Sequence, residues 1–259
     1  MPQNSFYNFA LLFYFLLSAS CSDQNPAQAG EEEFDKISLL ATHPVDFRDP
    51  SGLALDPSGE FLWSVSDDPG GGIYRIGLDG EILGHIEMES NDLEGIIVDP
   101  SDNSLWVVEE KLRQLVNISQ TGTVLNRVQL NIDGVIENDG PEGITVDPQT
   151  GHFYVVNKKK PRQLHELNPN MEIIQTTNLN FSGIFEMEDM SGITFNREEN
   201  NLWIVSDSSE KVVVIDLNRR PIRAYNTGVF DGEGIAINPA ARILYVVSDS
   251  DEILYIFNY

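Results

Sequence analysis

Five dipeptides place a serine or a glutamate directly before a glycine: Ser51-Gly52, Glu94-Gly95, Glu142-Gly143, Ser191-Gly192 and Glu233-Gly234. Each is followed by a β-rich run that ends in a second polar pair: Ser66-Asp67, Glu109-Glu110, Asn157-Lys158, Ser206-Asp207 and Ser248-Asp249. Carboxylates gathered at one point raise one another's pKa unless a cation, backbone amides or solvent offsets them. A donor set made only of oxygens suits Ca²⁺, or Mg²⁺ with retained waters, rather than zinc. Glu94, Glu142, Glu233, Ser51 and Ser191 are therefore candidate metal ligands, and Asp67, Glu110, Lys158, Asp207 and Asp249 candidate ligand-binding residues. The competing use of the same side chains is to cap amides of a neighbouring loop. Lys158, Lys159, Lys160 and Arg162 run against the acidic trend. Beside a metal they would hold an anion such as a phosphate; otherwise they neutralise carboxylates such as Glu110 and Glu137.

Other catalytic constellations are missing from the sequence. It has no Gly-x-Ser-x-Gly elbow, no phosphate-cradling glycine loop and no His-Glu-x-x-His. His43, His85 and His165 fall on expected third or fourth strands, and His152 falls on a turn at the opposite face. A histidine base at the acidic site is not expected.

The elements that position these residues repeat. The pattern reads DPSGLALDPSGEFLWSVSDD from Asp49, DLEGIIVDPSDNSLWVVEEK from Asp92, GPEGITVDPQTGHFYVVNKK from Gly140, DMSGITFNREENNLWIVSDS from Asp189 and DGEGIAINPAARILYVVSDS from Asp231. The marker glycines lie 43, 48, 49 and 42 residues apart, spacings that suit a four-stranded propeller blade. After each glycine comes a short apolar run, then Asp or Asn, usually followed by Pro, which starts a turn. A strand such as LWVVE follows, and two more alternating strands complete the blade. The fifth copy ends one strand short, and Lys36–His43 supplies the missing outer strand. The fold expected is all-β, a five-bladed β-propeller over 36–259, with six blades as the alternative. Trp63, Trp106, Tyr154, Trp203 and Tyr245 share one repeat position, and five-fold recurrence marks them as packing between blades rather than as an aromatic cage. In such a blade the start of the inner strand and the end of the second strand share one face. The two polar sets, with loop residues Asp46, Asp49, Glu89, Asp92, Asp133, Glu137, Asp139, Glu186, Glu188, Asp189 and Asp231, then form an acidic ring around the channel mouth.

The whole chain is acidic, with 16 Lys+Arg against 41 Asp+Glu in 259 residues and a net charge of −25. This excludes a nucleic-acid partner, which needs clustered cations, and a basic patch docking on anionic lipid. The single cysteine excludes a disulfide framework and a Cys-rich zinc site. Phe9–Leu17 is an apolar run with the length of a signal-peptide core, too short to span a bilayer. Ser18, Ala19 and Ser20 then precede Cys21, as in a lipoprotein cleavage site. Residues 1–20 read as a signal peptide, Cys21 as the lipidated residue and 21–35 as a flexible tether. The expected location is the cell envelope, periplasmic or outer-surface, through a lipid anchor alone; plain secretion is the alternative.

The order Ser-Gly, Glu-Gly, Glu-Gly, Ser-Gly, Glu-Gly, together with DMSGITFN and DGEGIAIN…LYVVSDS, resembles the SdiA-regulated family of bacterial exported β-propellers. The resemblance covers about 36–259 and implies the propeller fold, export and, for some members, a held cation. More distantly the chain resembles calcium-dependent esterase-like and phytase-like propellers, but Asn157 and Lys158 stand where those would place carboxylates. The expectation is a monomeric, non-catalytic envelope propeller that binds a divalent cation and a small ligand or envelope protein. The alternative is a calcium-dependent hydrolase of phosphate esters or lactones, with metal-activated water.

Overall fold

The alternation within each repeat is realised as four antiparallel strands. In the computed structural model, which describes residues 1, 32–88, 92–132 and 139–259, blade one is β2 (Pro50–Leu55), β3 (Phe61–Ser66), β4 (Gly72–Gly77) and β5 (Ile82–Glu87). Blade two is β6 (Leu93–Val98), β7 (Leu105–Glu109), β8 (Gln114–Ile118) and β9 (Val124–Gln129). Blade three is β10 (Pro141–Val146), β11 (Phe153–Asn157), β12 (Gln163–Leu167) and β13 (Ile173–Asn178). Blade four is β14 (Gly192–Asn196), β15 (Asn201–Ser206), β16 (Lys211–Asp216) and β17 (Pro221–Asn226). Blade five is β18 (Gly232–Asn238), β19 (Ile243–Ser248) and β20 (Ile253–Asn258), completed by β1 (Ser38–Pro44). The fold is a five-bladed β-propeller. The apolar run, Cys21 and most of the expected tether lie outside the described residues, as do Glu89, Asp133 and Glu137.

Closure follows the sequence expectation. β1 pairs antiparallel with β20, from Ser38 opposite Asn258 to Pro44 opposite Ile253, with one irregularity between Leu39 and Ala41. Just upstream, the Asp35 N–H donates to the Ala224 carbonyl at 2.8 Å, and Ile37 packs on the core around Trp203 and Tyr259. All twenty strands and all five core clusters lie within residues 32–259. A single turn of 3₁₀ helix, Gly183–Phe185, sits in the connection between blades three and four.

The aromatic at the shared repeat position fills the seam to the next blade. Trp63 packs with Leu93 and Ile96, Trp106 with Ile144 and Phe153, and Tyr154 with Ile193 and Phe195. Trp203 packs with Ile235 and Val246, and Tyr245 with Leu53 and Leu62. The Asp-Pro turns bind themselves as expected: Asp56 Oδ1 accepts the Ser58 N–H at 2.9 Å, and Asp147 Oδ1 accepts the Gln149 N–H at 2.8 Å.

The five inner strands, β2, β6, β10, β14 and β18, meet their neighbours around the axis. They approach closest at the marker glycines. A Cβ on Gly52 would lie 2.3 Å from the Glu94 carbonyl oxygen, and one on Gly234 would lie 2.2 Å from that of Ser51. Glycine is required there because backbone occupies the side chain's place. The axial hole is narrow at this ring, with only about 10 Å³ of space lined by Gly52, Gly95, Gly143, Gly192 and Gly234. The sequence reading of a single axial hole is thus refined to two cups placed back to back.

Candidate functional site

The acidic cup begins with a backbone irregularity. Strand pairing slips at the Ser-Gly or Glu-Gly dipeptide in four blades: between Pro50 and Leu53, Leu93 and Ile96, Pro141 and Gly143, and Gly232 and Gly234. A bulge of this kind re-aims a side chain out of the regular alternation. Here it gathers Glu94, Glu142 and Glu233 so that one carboxylate oxygen of each lies within 4.8 Å of the others. All three are buried, Glu142 to 1% exposure. Ser51 Oγ donates to Glu94 Oε2 at 2.6 Å. Ser191 Oγ instead accepts the Asp207 N–H at 3.1 Å.

Around this triad stand the residues that end each second strand. Lys158 Nζ reaches Glu233 Oε1 at 3.4 Å, Glu142 Oε1 at 3.5 Å and Asp207 Oδ2 at 3.9 Å. Lys158 thus sits at the centre of the cup; burial raises the Glu110 carboxyl, and the Lys158 charge pulls it down against that burial. Glu137 lies outside the described residues. Asp67 joins Asp92 and Glu94 in a second close group of carboxylates. Glu110 takes the capping role, with Oε1 accepting the Gly140 N–H at 2.6 Å. The polar residues just before them tie down the loops that enter the inner strands. Ser66 Oγ donates to the Arg48 carbonyl at 2.7 Å, Asn157 Nδ2 to that of Asp139 at 2.7 Å, and Ser248 Oγ to that of Phe230 at 2.8 Å. The other cations of the third blade are engaged nearby: Lys160 Nζ lies 3.5 Å from Asp139 Oδ2, and Arg162 Nη1 donates to the Glu188 carbonyl at 3.1 Å.

Burial is the main cause of the shifted pKa values. It pushes the Glu94 and Glu142 carboxyls well up, with mutual repulsion adding to it. Glu233 rises to about 7 through burial, against the opposing pull of Lys158. Asp67 and Asp249 each rise to about 6, again through burial first and neighbouring acids second. Burial acts against the Lys158 charge, but Glu142, Glu233 and Glu94 outweigh it and hold the ammonium protonated. Four buried oxygens in the cup accept no hydrogen bond from the described residues: Glu142 Oε2, Glu233 Oε2, Asp67 Oδ1 and Asp249 Oδ1. A buried acceptor left alone is costly, so the donor set fits an oxygen-seeking cation.

The histidines lie where the strand assignment put them: His43 on β1, His85 on β5, His165 on β12 and His152 in the β10–β11 turn. His165 is buried and its pKa falls to about 4 for that reason.

The family profile described as SdiA-regulated matches residues 41–258, nearly the whole propeller. The chain belongs to the SdiA-regulated family. No curated protein matches this SdiA-regulated chain. Among solved structures it is similar to a chain of a nidogen/laminin complex, at 18% identity and a TM-score of 0.54 over 77% of this chain and 72% of that one. It is also similar to streptogramin B lyase, at 16% identity and a TM-score of 0.51 over 85% and 72%. Virginiamycin B lyase from Staphylococcus aureus gives 17% and 0.50 over 85% and 74%. At such identities these likenesses establish the fold alone.

Proposed function

We propose that this SdiA-regulated protein is a non-catalytic binding propeller, monomeric and anchored in the cell envelope through Cys21, whose acidic cup takes a divalent cation of the Ca²⁺ class. The observation that carries the reading is the triad Glu94, Glu142 and Glu233, with oxygens of all three within 4.8 Å and two further buried oxygens unpartnered. Three ionised carboxylates and one ammonium sum to −2, the charge a divalent ion cancels. The donors are carboxylate oxygens, which favour Ca²⁺ or a partly hydrated Mg²⁺. Ser51 would orient Glu94 from behind, and Lys158 would limit affinity by electrostatic repulsion. Asp67, Asp207 and Asp249, at the rim, are placed to meet a ligand or envelope protein held through the ion.

Calorimetric titration with Ca²⁺ tests this. Saturable binding is expected for the wild type and a weakening of about tenfold or more in Glu142→Gln and Glu233→Gln. Absence of saturable binding to the wild type, or wild-type affinity in both variants, overturns the proposal.

A further inference from the structure

On the far side of the glycine ring the axis opens into a second cavity of about 360 Å³, walled by all five inner strands. Its size falls within the range of small-molecule sites. The wall mixes aliphatic side chains, Leu55, Ile97, Ile193 and Ile237, with polar groups that include the hydroxyls of Thr145 and Thr194. The turns after the inner strands form the rim. Four of them place a proline there, Pro57, Pro100, Pro148 and Pro239, and the fourth blade places Arg197 at the same position. What recurs in every blade serves the fold; a single departure needs another reason. Proline presets this turn, so the arginine gives up a conformational advantage the other four blades keep. Arg197 is exposed, and among the described residues it makes no salt bridge or hydrogen bond through its guanidinium.

The acids of the same rim are already engaged. Asp56 accepts the Ser58 N–H and the Trp63 indole N–H, Asp99 accepts those of Ser101 and Trp106, and Asp147 accepts the Gln149 N–H and the Thr150 hydroxyl. The guanidinium is therefore the one charged group at this rim without a partner among the described residues. It stands beside a cup with aliphatic patches on its walls, in a protein whose net charge is −25. We propose that the lower cup binds a small amphiphile with an aliphatic body and one carboxylate, the body against the strand walls and the head on Arg197. Guanidinium and carboxylate match in geometry as well as in charge. The site is independent of the acidic cup, from which the glycine ring separates it.

Octanoate, octanol and octyltrimethylammonium, each below its micellar concentration, are titrated into the full chain with binding followed by calorimetry and methyl NMR. Octanoate is expected to bind with shifts at Thr194, Ile97 and Ile237, with octanol weaker and the cation weakest. Arg197→Gln is expected to weaken octanoate by roughly two- to fivefold and to leave octanol unchanged. Arg197→Pro, which restores the turn of the other blades, serves as a second variant that keeps the fold and is expected to lose the same discrimination. Glu142→Gln, in the other cup, should bind octanoate like the wild type. Failure of octanoate to saturate, octanol binding as tightly, wild-type octanoate affinity in both Arg197 variants, or loss of octanoate binding in Glu142→Gln overturns the proposal.

Discussion

Lys158 decides the chemistry of the acidic cup at the scale of a single residue. The position that ends the second strand holds Asp67, Glu110, Asp207 and Asp249 in four blades and an amine in the third. That departure is visible in the sequence. Its partners are not, because Glu233 lies 75 residues further along the chain, and only ring closure brings it back. From sequence the basic cluster of blade three is set against acids such as Glu110 and Glu137, and the structure places Lys158 on Glu142, Glu233 and Asp207. Removing one member of a buried charge cluster leaves the others uncompensated, at a cost of about 3–5 kcal/mol. Protonation of the raised carboxyls lowers that cost, so Lys158→Met should lose about 3 kcal/mol in urea unfolding without metal. Millimolar Ca²⁺ should restore most of the loss and bind more tightly than to the wild type, since the ammonium no longer repels it. Loss of stability without recovery in Ca²⁺ would show that Lys158 is only a structural counter-ion.

Strands position these residues, and their boundaries were the less legible part of the sequence. The sequence shows a short apolar run after each marker glycine, and the inner strands reach further upstream than that run: β6 starts at Leu93 and β10 at Pro141. The Glu-Gly dipeptide belongs to the strand as its bulge. A period-two reading cannot register an extra residue, so the feature that aims the glutamates escaped it, while the glutamates themselves were found. The pairing of the N-terminal segment with the last blade was legible because the fifth repeat lacks a strand, and β1 occupies that place. Deleting Ser38–Pro44 would expose the full length of β20 as an unpaired edge. The expected outcome is loss of the cooperative thermal transition, with concentration-dependent association in light scattering. A truncated chain that melts as sharply as the intact one would show that blade five stands on three strands.

The charge of −25 and the raised carboxyls act on the molecule as a whole. A carboxyl whose folded pKa exceeds its unfolded one binds more protons in the native state, so stability falls as pH rises between the two values. Glu233, at about 7 against an ordinary 4.5, and Asp67 and Asp249, at about 6 against 3.8, act in this sense. His165, depressed to about 4 from 6.5, acts in the opposite sense, since burial keeps it neutral while the unfolded chain takes up a proton; it adds stability as pH rises to 6.5. Above that the histidine is silent, so melting temperature in metal-free buffer should decline from pH 6.5 to 7.5. Glu233→Gln should flatten the decline, and an unchanged slope in that variant would assign it to general self-repulsion. The joining of the first strand to the last also sets the order of events during synthesis. While a ribosome is still adding residues, blade five has no third strand for β1 to meet, so the wheel stays open until Asn258 has emerged. β20 thus acts as the latch on which the ring closes.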